Sequence, residues 1–261
     1  MGKRIGQHFL VDKAILDFEA GLLDASGKSV LEIGAGTGNL TKRLIAFGAA
    51  KITAVELDEK LAKLLQKKFK GKVKVLQKDF LLFDEEERFD RIIGNIPYYI
   101  TSPILFKLSR MGFEKAVLCI QKEVAQRILA KPGTSNYGRL SVSSQLLFKA
   151  QIAAFVDSSA FDPKPRVDSC IISLEKTGFR LSKGQERVIG AIFSHKKKSL
   201  KNAAIDARKQ LFFSSDKKKA AKIAQTLKYS GRKVFTLSPK QALETAEQLG
   251  GFANGIRSQG T

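Results

Sequence analysis

Only two cysteines and two histidines occur among the 261 residues. With so few thiols and imidazoles, neither a zinc site nor a disulfide framework is expected. Cys119 and Cys170 both fall in apolar, strand-like runs, where a reduced, buried thiol is the ordinary state. Long apolar stretches are missing too. None approaches the roughly 20 residues that a membrane-spanning helix needs, and the basic N-terminus Met1-Gly2-Lys3-Arg4 is not followed by the apolar segment of a secretory signal. A soluble, cytoplasmic protein without a bound metal is expected. No internal repeat is apparent.

Acidic residues are also scarce: 25 Asp plus Glu face 46 Lys plus Arg, a net charge of +21. The deficit is uneven. Residues 1–176 carry 28 basic and 20 acidic side chains, whereas residues 177–261 carry 18 and 5. Lysine-rich solvated faces occur in thermophile proteins without any polyanionic partner. A surplus this unbalanced is nevertheless costly in self-repulsion unless a polyanion answers it, which points to nucleic acid. A membrane surface is the competing partner, but the C-terminal segment lacks the strongly apolar face of an interfacial helix.

What is present is an alternation of apolar, β-rich runs with segments of helical period, up to about residue 130, which predicts βαβ units and a mostly parallel sheet. Strands are expected at 29–33, 51–55, 72–76, 91–94 and 116–120, with helices at 12–23, 39–47, 58–70, 102–110 and 122–129. Residues 140–156 and 170–174 read as further strands, joined through the turn-rich Phe161-Asp162-Pro163-Lys164-Pro165-Arg166, an antiparallel hairpin closing one sheet edge. Beyond about Thr177 the period is helical throughout. Two domains are therefore expected: residues 1–176, an α/β unit, and residues 177–261, a small basic helical unit.

Val30-Leu31-Glu32-Ile33-Gly34-Ala35-Gly36-Thr37-Gly38 is a buried strand turning through glycines into a helix. A dinucleotide loop would run G-x-G-x-x-G or A, but the sixth position here is Asn39. The shorter G-x-G-x-G form, with Gly34 and Gly36 letting a ligand approach the backbone, resembles the S-adenosyl-L-methionine loop of Rossmann-like methyltransferases. Glu56, 18 residues after Gly38 at the end of the second strand, stands where a carboxylate accepts both ribose hydroxyls. Asp79, after the third strand, suits the adenine amine of such a cofactor. Leu57 and Phe80, each directly after its acid, are candidate apolar faces for that adenine, with core packing as the alternative.

Asn95-Ile96-Pro97-Tyr98 lies 57 residues downstream of Gly38. It offers a side-chain amide, a backbone carbonyl turned outward by Pro97 and an aromatic face, the groups an extruded base bearing an exocyclic amine requires. By itself it is more readily a strand end followed by a proline turn. Joined to the glycine loop it points to methyl transfer onto an adenine amine, with Asn95 also close enough to touch the cofactor.

Gly6-Gln7-His8-Phe9-Leu10, the glycine loop, Asn95-Ile96-Pro97-Tyr98, Tyr137-Gly138-Arg139-Leu140-Ser141 and the Phe161 to Ser169 proline pattern occur together in this order. In this the chain resembles the small-subunit ribosomal RNA adenine dimethyltransferases, closely over residues 3–175 and loosely in the helical tail. His8, where bacterial members usually carry Asn, is more like the archaeal and eukaryotic branch; Tyr99, where many members carry a polar residue, is a departure in the target loop. The resemblance implies a Rossmann-like fold, S-adenosyl-L-methionine as methyl donor, and N6,N6-dimethylation of two adjacent adenosines near the 3′ end of small-subunit rRNA in an assembling subunit. It also implies that His8 and Leu10 fold over the cofactor and that Phe161 closes the far face of the target base. A monomer is expected. Two rivals stay open: a large-subunit rRNA methyltransferase of the erythromycin-resistance type, and a relative that binds RNA as an assembly factor without catalysis.

Overall fold

The computed structural model describes residues 8–83, 87–212 and 216–257; the side chains of Tyr98 and of residues 252–257 lie outside that description, as do Gly6 and Gln7 of the N-terminal motif. The chain separates into two compact units, residues 1–125 with 148–176, and residues 126–147 with 177–261.

The first unit begins with β1 (Phe9–Leu10), α1 (Lys13–Leu23), β2 (Ser29–Ile33), α2 (Asn39–Ala46), β3 (Lys51–Glu56), α3 (Glu59–Lys68) and β4 (Lys74–Gln77). It continues through β5 (Arg91–Asn95), α4 (Thr101–Leu108) and β6 (Lys115–Gln121), after which α5 (Lys122–Ile128) and α6 (Arg139–Leu147) precede β7 (Phe148–Val156), β8 (Phe161–Asp162) and β9 (Ser169–Lys176). Seven strands form one sheet in the order β4-β3-β2-β5-β6-β9-β7. The β4 to β6 pairings are parallel, whereas β9 runs antiparallel to both β6 and β7. The late hairpin thus closes the β6 edge with its second strand on the inside. Central strands buried on both faces need near-continuous apolar sequence; in β2, Val30 to Ile33 are all buried, and one of them is Glu32.

Helix starts are chemically marked. Asp12 caps α1 by accepting from the Ile15 N–H at 3.0 Å, and Asp58 caps α3 by accepting from Lys60 and Leu61 at 2.8 and 3.1 Å. At the opposite end of α1, Arg91 on β5 donates to the Leu23 and Asp24 carbonyls at 3.0 and 3.2 Å and pairs with Glu114, fixing the helix against the sheet.

One expected strand is a helix. Residues 139–147 form α6, not the first half of a strand running to residue 156. The alternation Leu140-Ser141-Val142-Ser143 imitates a period of two, but all four side chains are buried, as are Ser144 and Leu147, so the serines are inside as well. Ser141 Oγ donates to the Arg127 carbonyl, which removes the cost of burying a hydroxyl. Accordingly, the expected division at residue 176 is incomplete: residues 126–147 belong to the compact helical unit.

That second unit comprises α6 with α7 (Lys183–Phe193), α8 (Leu200–Asp206), α9 (Arg208–Phe212), α10 (Lys217–Gln225) and α11 (Pro239–Arg257). Its core gathers Tyr137, Val142, Ile189, Ile192, Leu200, Leu237 and Leu249. Tyr137 is fully buried, and its hydroxyl donates to the Leu237 carbonyl at 2.8 Å. Ser182 and Gln185 make a reciprocal capping box at the start of α7. Among the described residues, no helix is long and apolar enough to cross a membrane.

Candidate active site

At the carboxyl ends of β2 to β5 the strand order reverses, the place where open α/β sheets hold ligands. A cavity of about 670 Å³ opens there, inside the size range of small-molecule sites. Every sequence-predicted site residue with a described side chain lines it: His8, Leu10, Gly34, Gly36, Glu56, Leu57, Asp79, Phe80, Asn95, Ile96, Pro97 and Phe161. Tyr98 has a described backbone, in a short 3-10 turn over 98–100, but its side chain falls outside the described set.

The glycine loop leaves β2 in conformations that side chains resist: Gly34, Gly36 and Gly38 have φ of 70°, 55° and 79°. A Cβ on Gly36 would lie 2.9 Å from the Phe9 ring. Nothing larger than glycine fits while Phe9 covers the loop. Glu56, 5% exposed, stands at the end of β3 and accepts from the Gly36 N–H at 2.8 Å through Oε2 and from the Asp58 N–H at 2.9 Å through Oε1. Each carboxylate oxygen retains a lone pair for a ligand hydroxyl. Asp79 caps the short turn at 80–82 by accepting from the Leu81 N–H at 2.8 Å through Oδ1. Leu57 is 61% exposed at the cavity mouth, an apolar surface with no packing role to explain it, while Phe80 is buried and stacks with Phe83. This set of two strand-end carboxylates, two apolar faces and an open backbone fits an adenosine-bearing ligand.

Opposite lies the tetrapeptide. Asn95 ends β5, the Ile96 N–H donates to the Cys119 carbonyl at 3.0 Å, and Pro97 leads into the 3-10 turn. The cavity is roofed by the two-stranded ladder of β1 and β8, in which Phe9 pairs with Asp162 and Leu10 with Phe161. His8 donates from Nδ1 to the Pro163 carbonyl at 2.5 Å, and Asn39 donates from Nδ2 to the Leu10 carbonyl at 2.9 Å. Phe161 therefore has both roles at once: it lines the cavity and is 7% exposed in a core cluster with Leu10 and Leu16.

Several residues escaped the sequence reading. Glu19 on α1 and Glu32 on β2 are buried acids beneath the cavity. Glu32 lines it and accepts from Thr41 Oγ1 at 2.6 Å. Burial pushes the Glu32 carboxyl up to about 8, against the pull of Thr41. Glu19 and Glu32 each carry a local sign of burial in the sequence, but not of a role at the site. Glu19 sits in the apolar stripe of Leu16, Ala20 and Leu23, and Glu32 interrupts a continuous apolar strand. Gly94 is a third: a Cβ there would lie 2.6 Å from the Ile33 carbonyl, so β5 approaches β2 only without a side chain at that point. Tyr99, 62% exposed, also lines the cavity. Among the described residues no group of three or more His, Cys, Asp and Glu is arranged to hold a metal.

Known proteins resemble this chain along nearly its whole length. A relative from Pyrococcus abyssi, named "Probable ribosomal RNA small subunit methyltransferase A", is 36% identical over 94% of this chain and 91% of its own. A relative of the same name from Methanothermobacter thermautotrophicus is 36% identical over 95% and 90%. Among solved structures, a dimethyladenosine transferase from Plasmodium falciparum superposes with a TM-score of 0.74 at 29% identity, over 91% of this chain and 95% of that one. The 23S rRNA methyltransferase ErmE gives 0.62 at 28%, over 92% and 99%. The family model described as ribosomal RNA adenine dimethylase matches residues 1–233, so this protein belongs to the ribosomal RNA adenine dimethylase family.

Proposed function

We propose that this protein transfers methyl groups from S-adenosyl-L-methionine to the N6 amine of adenines in small-subunit rRNA, twice per base, on two adjacent adenosines near the 3′ end, while the subunit is being assembled. The observation that carries this reading is the union, in one cavity, of the glycine loop, Glu56 and Asp79 with Asn95, Ile96 and Pro97. Small-subunit rather than large-subunit rRNA is favoured by the names of the relatives and by the larger superposition score of the dimethyladenosine transferase.

When bound, the cofactor supplies a methyl carbon made electrophilic by its positive sulfur. Glu56 accepts from the ribose hydroxyls and Asp79 from the adenine amine of the cofactor, while Leu57 and Phe80 cover its ring. His8 and Leu10 close over it. On the other side, the target adenine must leave its stack to reach the cavity. Its N6 is a poor nucleophile because the lone pair is delocalised into the ring. Asn95 Oδ1 and the Ile96 carbonyl accept from the two N–H groups and favour a pyramidal nitrogen whose lone pair faces the methyl carbon. Pro97 fixes the turn, Tyr98 stacks on one face of the base, a contact worth about 1–3 kcal/mol, and Phe161 closes the other. No strong base is needed, since the methylated nitrogen is acidic and releases its proton to water. Most of the rate comes from alignment, for which effective molarities of about 10⁵ M or more are attainable. An amide rather than a carboxylate at position 95 leaves no fixed charge beside the methyl group during the second transfer.

The basic helical unit supplies phosphate contacts that position the RNA, while the pocket selects adenine. The protein acts as a cytoplasmic monomer without membrane attachment. To test the reading, the protein is incubated with labelled S-adenosylmethionine and unmethylated small subunits, and the RNA is digested to nucleosides. N6,N6-dimethyladenosine is the expected product; its absence with a competent substrate refutes the assignment, and label in large-subunit RNA instead favours the second substrate class.

A further inference from the structure

Asn95 does not stand alone. With its amide turned so that Nδ2 faces α1, it donates to Glu19 Oε1 at 3.0 Å and Oε2 at 3.2 Å. Glu19 is 0% exposed and, among the described residues, forms no ion pair. Its neighbours on the helix stripe are Leu16, Ala20 and Leu23, so packing alone calls for an apolar side chain here. Burying a carboxyl in such a place is costly unless a partner offsets it. Asn95 is that partner.

We propose that Glu19 is a positioning residue for methyl transfer: it holds Asn95 Nδ2 away from the cavity, so that Oδ1 is the atom presented to the adenine amine. This rests on the function proposed above. An ionised carboxylate only accepts hydrogen bonds, so it admits one amide orientation, with Nδ2 toward α1. A protonated carboxyl carries a donor and also admits the reverse, in which Nδ2 confronts the N–H groups of the target base and repels them. Asn95 is therefore held in the accepting orientation by the carboxylate form alone.

The surroundings of Glu19 make that form titratable near neutrality. Burial, then the charge of Glu32 on β2, push its carboxyl up to about 8, and the Asn95 hydrogen bond pulls it down. Glu32 in turn feels Glu56 on β3. From β6, the Cys119 thiol is held well above its usual range by burial and by Glu19. The cations near α1 are occupied elsewhere. Arg43 of α2 pairs with Asp17 at 3.0 Å, and Arg91 of β5 and Lys115 of β6 donate to carbonyls at the end of α1, Lys115 to Leu22 at 2.5 Å.

The test compares wild type with Glu19→Leu and Glu19→Gln, using S-adenosylmethionine affinity by calorimetry, single-turnover rates on unmethylated small subunits across pH, and the side-chain amide signals of Asn95 by NMR. Wild-type turnover is expected to rise with pH to a plateau above about 8. Glu19→Leu should lose about 10-fold or more in turnover with cofactor affinity within about 3-fold, the signature of an interaction used in the transition state. Glu19→Gln offers both an acceptor and a donor, as the protonated carboxyl does, and should hold turnover near the low-pH level of wild type, with the pH rise abolished. In the wild-type protein alone, the Asn95 amide signals should titrate together with Glu19. Unchanged turnover in Glu19→Leu, a pH rise persisting in Glu19→Gln, or Asn95 signals indifferent to pH would each overturn the proposal. If Glu19→Leu fails to fold, the Gln variant and the NMR titration decide. If wild type makes no N6-methylated adenine, the functional reading falls separately, and the NMR titration still tests the Glu19–Asn95 coupling.

Discussion

The two compact units of this chain handle charge in opposite ways. The α/β unit buries carboxyls: Glu32 and Glu56 line the cavity and Glu19 lies behind Asn95, all at or below 5% exposure, and among the described residues no buried cation lines the cavity. The helical unit keeps an apolar core and carries its surplus of lysine outside, with ion pairs such as Lys198–Asp206 and Lys228–Glu244 answering only part of it. The difference separates two tasks. Buried acids tune hydrogen bonds and protonation over a few ångströms, whereas exposed cations act on a polyanion over roughly a Debye length, about 8–10 Å at physiological salt.

Substitutions can break this contrast from either side. Asn95→Ala removes the amide that faces the target base; turnover should fall by about 100-fold or more while cofactor affinity stays within a few-fold, measured by single-turnover kinetics and calorimetry. Equal losses in both would instead make Asn95 a cofactor ligand. Glu56→Ala should weaken cofactor binding by about 10-fold to 100-fold, since it removes hydrogen bonds to a charged acceptor and also releases the Gly36 N–H. On the exposed side, replacing Lys217, Lys218 and Lys219 by Gln should lower RNA affinity several-fold at low salt and reduce the slope of log K against log salt by about 1 for each phosphate no longer neutralised. An unchanged slope would mean that the α10 lysines do not touch the RNA.

The last readout is stability. The folded carboxyls of Glu19 and Glu32 lie near 8 against a reference of 4.5, so the folded state binds more protons than the unfolded state between those values. Stability without cofactor should therefore be highest near the lower value and decline as pH rises toward about 8. The carboxyls held low by partners, such as Glu87 by Lys51 and Asp90 by Ser29, work in the opposite sense, but only below the ordinary carboxylate range. Thermal unfolding followed across pH should show the decline in wild type and a shallower one in Glu19→Gln. A flat wild-type profile would mean that the buried acids are not protonated in the folded protein.

Where side-chain chemistry and backbone pattern coincide, the sequence alone was informative. The glycine loop, the strand-end acids and the proline turn each announce a local geometry, and they meet in one cavity because parallel strands place their carboxyl ends side by side. Glu19 was illegible as a site residue because its meaning depends on Asn95, 76 positions away in sequence. Residues 139–147 were misread for a different reason: alternating small polar and apolar residues look the same whether a strand shows one face to solvent or a helix is buried all round. The requirement for glycine at position 94 comes from the Ile33 carbonyl on the neighbouring strand, which periodicity along β5 cannot reveal.

The ladder of β1 and β8 has a consequence for how the molecule is made. It joins Phe9 to Asp162 and Leu10 to Phe161, so a segment preceding α1 waits for one about 150 residues later before it can take its place. Closing so long a loop costs entropy that local helices and the early parallel strands do not incur. On a ribosome, the glycine loop and its acids can be present while the wall above them is still missing. The cavity is finished only when its roof closes.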